Sequence, residues 1–407
     1  MTDINIEELR DLVSDAVKVV EFKLVRTRDD VNDPTLNFHP EMAHQIFGEN
    51  ENIFGYKDLK ITIMYTAGSM QIYIGMVYIS RVEDQVGSKG LKSDDVMNIL
   101  ASKLPDGCYY INLEEFLKAA DSENFRPFGE KLDELTYEDE ETGQKRHFEI
   151  YHCDNTASKF VSYFNRFQTF ILWFVDAAQY IDVDDPQWTF FICYEKYKSS
   201  DGDVKYASVG YTTVYQYYAY PEHIRPRISQ MLILPPFQKK GLGTKMFNTI
   251  YKFYEGEKNV IDITVEDPSE DFTRIRNYID SKLCKDLNSF SKEEIKKGFS
   301  KEMIKEAREK HKINPRQCRK IYEILRYYHT NIYDPKDLRS FRLEVKRRLN
   351  IIHHKQLRDI KRMEKAGLDT QWITASMPTR EERLSQLEKE YEDVETEYKK
   401  IVEKLKN

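Results

Sequence analysis

The chain has 407 residues, of which 40% are hydrophobic and 32% are charged, and its formal net charge is -7 at pH 7. This length exceeds what one hydrophobic core usually holds, so two or three structural units are expected. The acidic balance disfavours nucleic acid as a direct partner, because binding to phosphates requires a basic face, and no apolar run approaches the roughly 18 to 20 residues that a membrane span needs.

The N-terminal residues and the cysteines both favour an intracellular protein. Residues 1–8 lack the basic and apolar blocks of a secretory signal peptide. The five cysteines form no CxxC pair, so we expect buried thiols in a reducing compartment rather than disulfides or zinc ligands. No HExxH or similar ligand spacing occurs, and no metal is expected.

Acidic residues recur in short clusters, which favours a cationic partner wherever a cluster lines a groove. Each cluster taken alone is also consistent with a solvated turn. The clusters are Glu49–Glu51, Glu138–Glu141, Asp182–Asp185 and Glu266–Asp267.

The N-terminal region combines one helical pattern with several strand patterns. Apolar residues at helical spacing predict an amphipathic helix over residues 5–18. Period-two alternation with aromatic residues predicts strands at 20–25, 59–65 and 70–82. An α+β domain over residues 1–126 is therefore expected.

The central region, residues 127–270, reads as strands interrupted by two helices. Ser200–Asp203 is a turn that joins two of the strands into a β-hairpin. The predicted strands are 148–151, 190–196, 205–218, 229–234 and 260–266, and the predicted helical segments are 160–178 and 242–254.

Beyond residue 271 the composition is helical and charged, which predicts a helical domain over 271–375 and a separate helix over 376–407. Thr379 and Glu382 form a capping box at the start of this last helix. Packing within the chain is expected, because about three heptads make only a marginal isolated dimer. The seam residues are Leu384, Leu387, Tyr391, Val394, Tyr398, Ile401 and Leu405.

The segment Gln238–Thr244 places two glycines between a strand and a helix. Gly241 and Gly243 permit unusual φ values and a close approach of the backbone to a ligand. The helix that follows directs its N–H groups and its positive dipole end at the turn, and Lys239 and Lys240 add positive charge. The pattern predicts a site for a phosphate-bearing cofactor.

Two other phosphate-binding motifs fit this turn poorly. A dinucleotide-binding turn needs a third glycine where Met246 stands, and a tight turn where residues 235–240 intervene. A P-loop needs Lys followed by Ser or Thr, whereas here Thr244 precedes Lys245. An acyl-CoA cofactor is consistent with the turn, because its pantetheine arm can pair with the edge of the strand Met231–Leu234.

Four more segments, taken with the glycine turn, closely resemble the catalytic-subunit family of type B histone acetyltransferases. They are Ile181–Asp185, Val209–Tyr218, Arg225–Arg227 and Glu266–Ser269. The resemblance covers about residues 20–350. It implies an α+β fold in which a GCN5-related N-acetyltransferase (acyl-CoA N-acyltransferase) core lies between the N-terminal α+β domain and the helical C-terminal extension. It also implies acetyl-CoA as the co-substrate.

Acetyl transfer to a lysine requires a base, because the side-chain amine has an ordinary pKa of about 10.4 and is protonated at neutral pH. Strand alternation places Asp262, Thr264 and Glu266 on one polar face. The resemblance implies that Glu266 is the general base and that Asp267 assists it. It implies a third catalytic carboxylate at Asp176, where the family has glutamate.

The turn and the resemblance together predict the acetyl-CoA site. Backbone N–H groups near the middle of the strand are expected to polarise the thioester carbonyl. The predicted cofactor-binding residues are Met231, Leu232, Ile233, Gln238, Lys239, Lys240, Gly241, Leu242, Gly243, Thr244 and Ser269.

An aromatic strand and an acidic loop are the predicted substrate contacts. The strand 211–220 is rich in tyrosine, whose rings could wall a tunnel for the methylene stem of a lysine, although core packing explains such a strand equally well. The resemblance implies histone contacts by Tyr215, Gln216 and Tyr217, and by Glu49, Asn50 and Glu51, with Asn50 where the family has an acid.

The resemblance also implies the substrate and the partners. The substrate would be lysines in the N-terminal tail of free, newly made histone H4, together with its histone dimer partner. A WD-repeat histone chaperone would bind outside the core, without direct contact to nucleic acid or membrane, in both cytoplasm and nucleus. Two alternatives stay open: an acetyltransferase for another amine, such as a protein N-terminus or a small molecule, and a non-catalytic scaffold that holds histones on its acidic surface.

Overall fold

The computed structural model of the protein describes residues 10–84, 90–105, 107–139 and 143–406. The chain divides into two compact units, the first formed by Met1–Tyr218 with Pro226–Phe253 and the second by Ala219–Arg225 with Tyr254–Asn407. Helices and strands are both abundant, which confirms the α+β class. The four domain boundaries given above stay a prediction.

The first unit begins with a small sheet. In chain order its elements are β1 Val13–Asp15, α1 Ala16–Val19, β2 Val20–Val25, α2 His44–Phe47, β3 Asn52–Phe54, β4 Tyr56–Lys57, β5 Lys60–Thr66, β6 Ile72–Val77, β7 Ser80–Arg81, α3 Val96–Ala101, β8 Tyr109–Tyr110 and α4 Leu113–Asp121. Four strands lie in the order β2, β5, β6, β8, with β2 parallel to β5 and β5 antiparallel to β6. The three strands predicted in this region are confirmed.

The helix predicted over residues 5–18 is wrong in the part that the structure describes. Strand β1 interrupts it and lies antiparallel to β3, so that among the described residues of this segment the helical ones are Arg10 and those of α1. Leu12 and Ala16 are both buried beside this strand pair. A strand partner about forty positions along the chain leaves no mark on the local periodicity, which is why the pattern misled. Residues 5–9 of the predicted helix lie outside the described residues.

A larger sheet forms the rest of the first unit. Its elements are β9 Glu130–Glu138, β10 Lys145–Cys153, α5 Phe160–Phe167, α6 Ile171–Phe174, β11 Trp188–Lys198, β12 Val204–Ala219, β13 His223–Ile233 and α7 Leu242–Glu255. Strands β9 to β12 are neighbours in chain order and pair antiparallel, and β13 lies beside β12. Ser199 N–H donates to the Asp203 carbonyl at 2.9 Å and closes the hairpin between β11 and β12. The predicted hairpin, strand and helix are therefore confirmed in this order.

Aromatic side chains join the helix α5 to this sheet. The Phe164 ring centroid lies 4.7 Å from that of Phe190 and 4.9 Å from that of Tyr211. All three side chains are fully buried, and burial of each ring contributes about 1.5 to 3 kcal/mol. The predicted helical segment 160–178 is confirmed as far as Phe174, where α6 ends and a turn begins.

The second unit is mainly helical, as predicted beyond residue 271. After the short strand β14 Thr264–Val265 its helices are α8 Glu270–Cys284, α9 Lys292–Lys297, α10 Lys301–His311, α11 Pro315–His329, α12 Pro335–Leu349, α13 Ile351–Lys365, α14 Gln371–Ser376 and α15 Arg380–Lys406. None of the helices in the described ranges combines the length and the apolarity that a membrane span requires.

The last helix, α15, packs into the core of its own unit. Tyr391, Tyr398 and Ile401 are buried in one cluster with side chains of α11 and α12. The predicted capping box is present: Thr379 N–H donates to Glu382 Oε2 at 2.8 Å, and Glu382 N–H donates to Thr379 Oγ1 at 3.3 Å. Packing within the chain is thus confirmed as the role of the heptad pattern.

The cysteines are unbridged, as predicted. Cys153, Cys193, Cys284 and Cys318 are buried, and Cys108 is half-buried. Burial raises the pKa of the Cys318 thiol to about 12, so this side chain behaves as an apolar group at neutral pH.

One buried carboxylate holds three elements of the second unit together. Glu323 on α11 has no exposure and accepts hydrogen bonds from Arg319 Nε at 3.2 Å, Arg348 Nε at 2.8 Å and the Tyr398 hydroxyl at 3.0 Å. Burial and the Glu323 carboxylate raise the pKa of Tyr398, which therefore stays a donor at neutral pH. These bonds connect α11 to α12 and α15.

Replacing Glu323 with alanine should leave the half-buried Arg348 and the buried Tyr398 hydroxyl without their acceptor. We expect Glu323→Ala to lower the free energy of unfolding by about 3 to 5 kcal/mol, measured by urea denaturation. The exposed Glu392→Ala on α15 serves as the control and should stay within about 0.5 kcal/mol of the parent. Equal stability of the two variants would contradict this role of Glu323.

Candidate functional site

The glycine turn opens a helix at the end of a strand in the first unit. Strand β13 ends at Ile233, and Leu234 N–H donates to the Val209 carbonyl at 2.9 Å. After one 3-10 turn, Lys239 and Gly241 adopt left-handed φ values of 61° and 76°. These two residues reverse the chain, and α7 begins at the next position, with its N–H groups directed at the turn.

Side chains of the turn stabilise its shape. Gln238 Nε2 donates to the Ile233 carbonyl at 2.9 Å, and Lys240 Nζ donates to the Pro236 carbonyl at 3.2 Å. Burial and the nearby Arg146 guanidinium lower the pKa of Lys240. The ammonium group of Lys240 thus belongs to the turn itself, whereas Lys239 is exposed to a ligand.

The space beside Gly241 is open. A Cβ built on this residue meets no atom of the described residues within 4 Å, so an anion can approach the backbone at the start of α7. Lys245 Nζ lies 2.6 Å from Asp133 Oδ1 and anchors the helix to β9. An open turn at the positive end of a 14-residue helix is well suited to a phosphate group.

The predicted cofactor strand lies close against β12. Leu232 is buried, whereas Met231 and Ile233 are half-buried. A Cβ at Gly210 would lie only 2.4 Å from the Leu232 carbonyl oxygen, so the two strands approach at a distance that only glycine permits. The first unit therefore brings the strand and the glycine turn together as predicted.

The predicted polar face that ends at Glu266 is wrong at Asp262. The Asp262 carboxylate has no exposure: it accepts from Arg225 Nε at 2.6 Å, and Arg308 Nη2 lies 3.3 Å from its second oxygen. Regular strand structure covers only β14, so the alternation of a strand does not extend back to position 262. Two arginine side chains allow this carboxylate to face inward.

Hydrogen bonds hold the residues that precede β14. Ile263 N–H donates to the Lys312 carbonyl at 2.8 Å, and the Ile263 carbonyl accepts from Arg276 Nη2 and Asn314 Nδ2, each at 3.1 Å. Lys312 Nζ donates to the Val260 carbonyl at 3.1 Å. Helical residues of the second unit therefore set the position of the strand that leads to the predicted base.

Glu266 and Asp267 lie exposed between β14 and α8. Asp267 has a φ of 27°, an uncommon value for a residue with a Cβ, and turns the chain away from the strand. Ser269 Oγ accepts from Phe272 N–H at 3.2 Å and caps α8. Two adjacent accessible carboxylates can accept a proton from an incoming amine.

The acidic loop and Asp176 meet in the first unit through a residue that the sequence did not indicate. His44 Nε2 lies 3.0 Å from Asp176 Oδ1, and His44 Nδ1 lies 3.6 Å from Glu51 Oε1. Glu51 Oε1 also accepts from the N–H groups of Ala43 at 2.6 Å and His44 at 3.0 Å. Glu49 and Asn50 are exposed, so these are the loop residues that can face a substrate.

The predicted tyrosines form a partly exposed aromatic surface. The Tyr215 ring lies 4.7 Å from that of Tyr217 and 4.8 Å from that of Trp188. The Tyr215 hydroxyl donates to Asp185 Oδ2 at 3.1 Å, which raises the pKa of Tyr215, and the Arg227 guanidinium lies 4.7 Å from the Tyr217 ring centre. Gln216, next to these rings, is half-buried.

The described residues thus hold four groups of predicted site residues. The turn with its strand, the acidic loop with Asp176, and the tyrosine surface lie in the first unit, and Glu266, Asp267 and Ser269 lie in the second. Sequence reasoning missed His44 and Trp188, whose contacts with Asp176 and Tyr215 join positions far apart in the chain, and it gave Arg227 no role beside Tyr217. Within the described ranges, His, Cys, Asp and Glu side chains form no group arranged to hold a metal ion.

Two family models match the chain. One, described as "Histone acetyl transferase HAT1 N-terminus", matches residues 12–176. The other, described as "Histone acetyltransferase type B catalytic subunit, C-terminal", matches residues 276–327.

Curated relatives match over most of the chain. The chain is 39% identical over 389 residues to the "Histone acetyltransferase type B catalytic subunit" of Homo sapiens, covering 95% of this chain and 92% of that one. It is 29% identical to a subunit of the same name from Cryptococcus neoformans, covering 97% and 98%. A solved aminoglycoside acetyltransferase from a soil metagenomic sample aligns over 31% of this chain and 82% of its own. The sequence identity is 15% and the TM-score is 0.23, so the structural similarity is weak.

Proposed function

Because the chain belongs to the family of type B histone acetyltransferase catalytic subunits, we propose that this histone acetyltransferase transfers acetyl from acetyl-CoA to lysines in the tail of free histone H4, with Glu266 as the general base. The observation that carries the proposal is the 39% sequence identity to the human subunit, in an alignment that covers 95% of this chain. The open glycine turn and the exposed carboxylates supply the chemistry.

The residues of the turn fit acetyl-CoA. Its pyrophosphate would lie beside Gly241, where the backbone is open and the start of α7 carries partial positive charge. Lys239 is exposed there and would add a full charge. The peptide groups of Met231 to Ile233 would hold the pantetheine arm by strand-like hydrogen bonds. The co-substrate itself supplies an activated acetyl thioester.

Glu266 would remove the proton that keeps the lysine from attacking. A protonated amine has no lone pair, so the base must act before or during attack on the thioester carbonyl. The Glu266 carboxylate is exposed and lies on a segment that buried hydrogen bonds hold in place. Asp267 would assist by keeping the local potential negative around the incoming ammonium group.

A basic histone tail would meet acidic and aromatic surfaces of the first unit. Glu49 is exposed and can pair with a cationic side chain, whereas the carboxylate of Glu51 already binds backbone N–H groups. Tyr215 and Tyr217 offer ring faces on which the methylene stem of a lysine can pack. The histone dimer partner of H4 would arrive with it, and a WD-repeat chaperone would bind outside the core, in cytoplasm and nucleus.

Acetyl transfer should depend on the state of the histone. With radiolabelled acetyl-CoA, we expect label on free H4 and much less on intact nucleosomes, in which the tails lie against DNA. A polyamine in the same assay tests the alternative of a small amine, and histone binding without transfer tests the scaffold. Equal label on nucleosomes and free histones would contradict the assignment to free histone.

Replacing the proposed base should slow chemistry and spare cofactor binding. A general base contributes about 100- to 10,000-fold to a rate, so we expect Glu266→Gln to lower kcat at neutral pH by about 100-fold or more, with the KM for acetyl-CoA little changed. Glu270→Gln, an exposed glutamate four positions away, is the matched control and should retain activity. Near-normal turnover by Glu266→Gln would exclude it as the base.

Charge reversal in the acidic loop should weaken substrate binding. Glu49→Lys should raise the KM for an H4 tail peptide several-fold, and more at low salt, because salt screens interactions between exposed charges. Asp201→Lys makes the same change at the tip of the β11–β12 hairpin, at the opposite end from Tyr215, and should leave KM unchanged. An equal rise in both variants would indicate a general charge effect and remove this loop from the site.

A further inference from the structure

The acidic loop and the Asp176 segment are joined by several contacts within the first unit. The N–H groups of Glu41 and Met42 both donate to the Trp173 carbonyl, at 3.1 and 3.2 Å, and Gln45 Nε2 donates to the Ala178 carbonyl at 2.7 Å. These contacts hold α2 and the residues just before it against the end of α6 and the turn after it, and Glu51 joins the acidic loop to them through the N–H groups of Ala43 and His44. Of the polar side chains in this junction, His44 is the one that contacts a carboxylate on the other side.

The contacts of His44 connect Glu51 of the acidic loop to Asp176. Glu51 Oε1 accepts hydrogen bonds from the N–H groups of Ala43 and His44 at the start of α2. These bonds fix the backbone that carries the imidazole. The imidazole then reaches across the junction, and its Nε2 lies 3.0 Å from Asp176 Oδ1. The His44 side chain is 29% exposed while that of Asp176 is 75% exposed, so the histidine is held and the carboxylate projects outward.

We propose that His44 is a positioning residue, which holds the carboxylate of Asp176 in a fixed orientation toward the substrate and couples that orientation to the acidic loop. The inference rests on the proposed function and on the third catalytic carboxylate that the family resemblance implies at Asp176. An exposed aspartate at a turn has several rotamers, and an imidazole held on a neighbouring helix at 3.0 Å from one oxygen favours one of them. The adjacent Ala177, with a left-handed φ of 55°, shapes the turn that presents Asp176 to this imidazole.

A double-mutant cycle in kcat separates positioning from structural support. His44→Phe keeps a ring but removes both ring nitrogens, and His44→Gln restores a polar amide near the position of Nε2. Asp176→Ala provides the second arm of the cycle. Gln45→Met is the matched control, since it removes a bond across the same junction that involves no carboxylate. Free core histones serve as the substrate, and a thermal melt of each variant reports on folding.

An ion pair between partly exposed side chains is weak, so we expect His44→Phe to lower kcat about fivefold, with the KM for acetyl-CoA unchanged. In the Asp176→Ala background the same change should have less than about a twofold effect, because the residue through which it acts is gone. His44→Gln should recover most of the rate, and Gln45→Met should stay close to the parent.

The proposal is overturned if His44→Phe lowers kcat equally in both backgrounds, if Gln45→Met reproduces its effect together with a lower melting temperature, or if neither His44→Phe nor Asp176→Ala changes kcat. Its failure is distinct from failure of the proposed base. Activity that survives Glu266→Gln removes the base assignment, while the cycle of His44 and Asp176 still reports on their coupling.

Discussion

The structure depends on the neutralisation of one carboxylate that has no contact with solvent. Burying Asp262 without a cation would cost several kcal/mol, and Arg225 and Arg308 supply the opposite charge. The first of these arginines lies near the start of β13 and the second lies on α10, so the ion pairs tie distant parts of the chain to the segment before β14. The helical C-terminal region therefore helps to set the position of the segment that leads to Glu266.

The enzyme treats its carboxylates in three different ways. Asp262 is fully buried and paired with two arginines, so it serves structure alone. Glu266 and Asp267 are exposed at a strand end. Asp176 is intermediate, because it projects into solvent but has a histidine at its side. A carboxylate that faces solvent is accessible to a substrate, whereas the Asp262 carboxylate is not.

Local signals in the sequence were sufficient for much of the fold and for the glycine turn. The hairpin, the strand Met231 to Ile233, the following helix and the capping box at Thr379 each follow from residues within a few positions of one another. The burial of Asp262 could not be predicted in this way, because its partners are 37 and 46 positions away. For the same reason the sequence did not predict β1, which pairs with a strand far along the chain. Nor did it predict the contact between His44 and Asp176, which are separated by most of the first unit. The sequence could not predict that the Glu51 carboxylate binds backbone N–H groups while Glu49 is exposed, because the two glutamates differ only in the direction in which their side chains point.

The packing of α15 has a consequence for how the chain folds during its synthesis on the ribosome. Tyr391, Tyr398 and Ile401 complete the core that surrounds α11, and they are synthesised after every residue of the first unit. All of the first unit has been made by residue 253, so it can fold while translation continues, as domains generally do. The second unit cannot complete its core until α15 has been made. The glycine turn can therefore form before the segment that carries Glu266 is held in place.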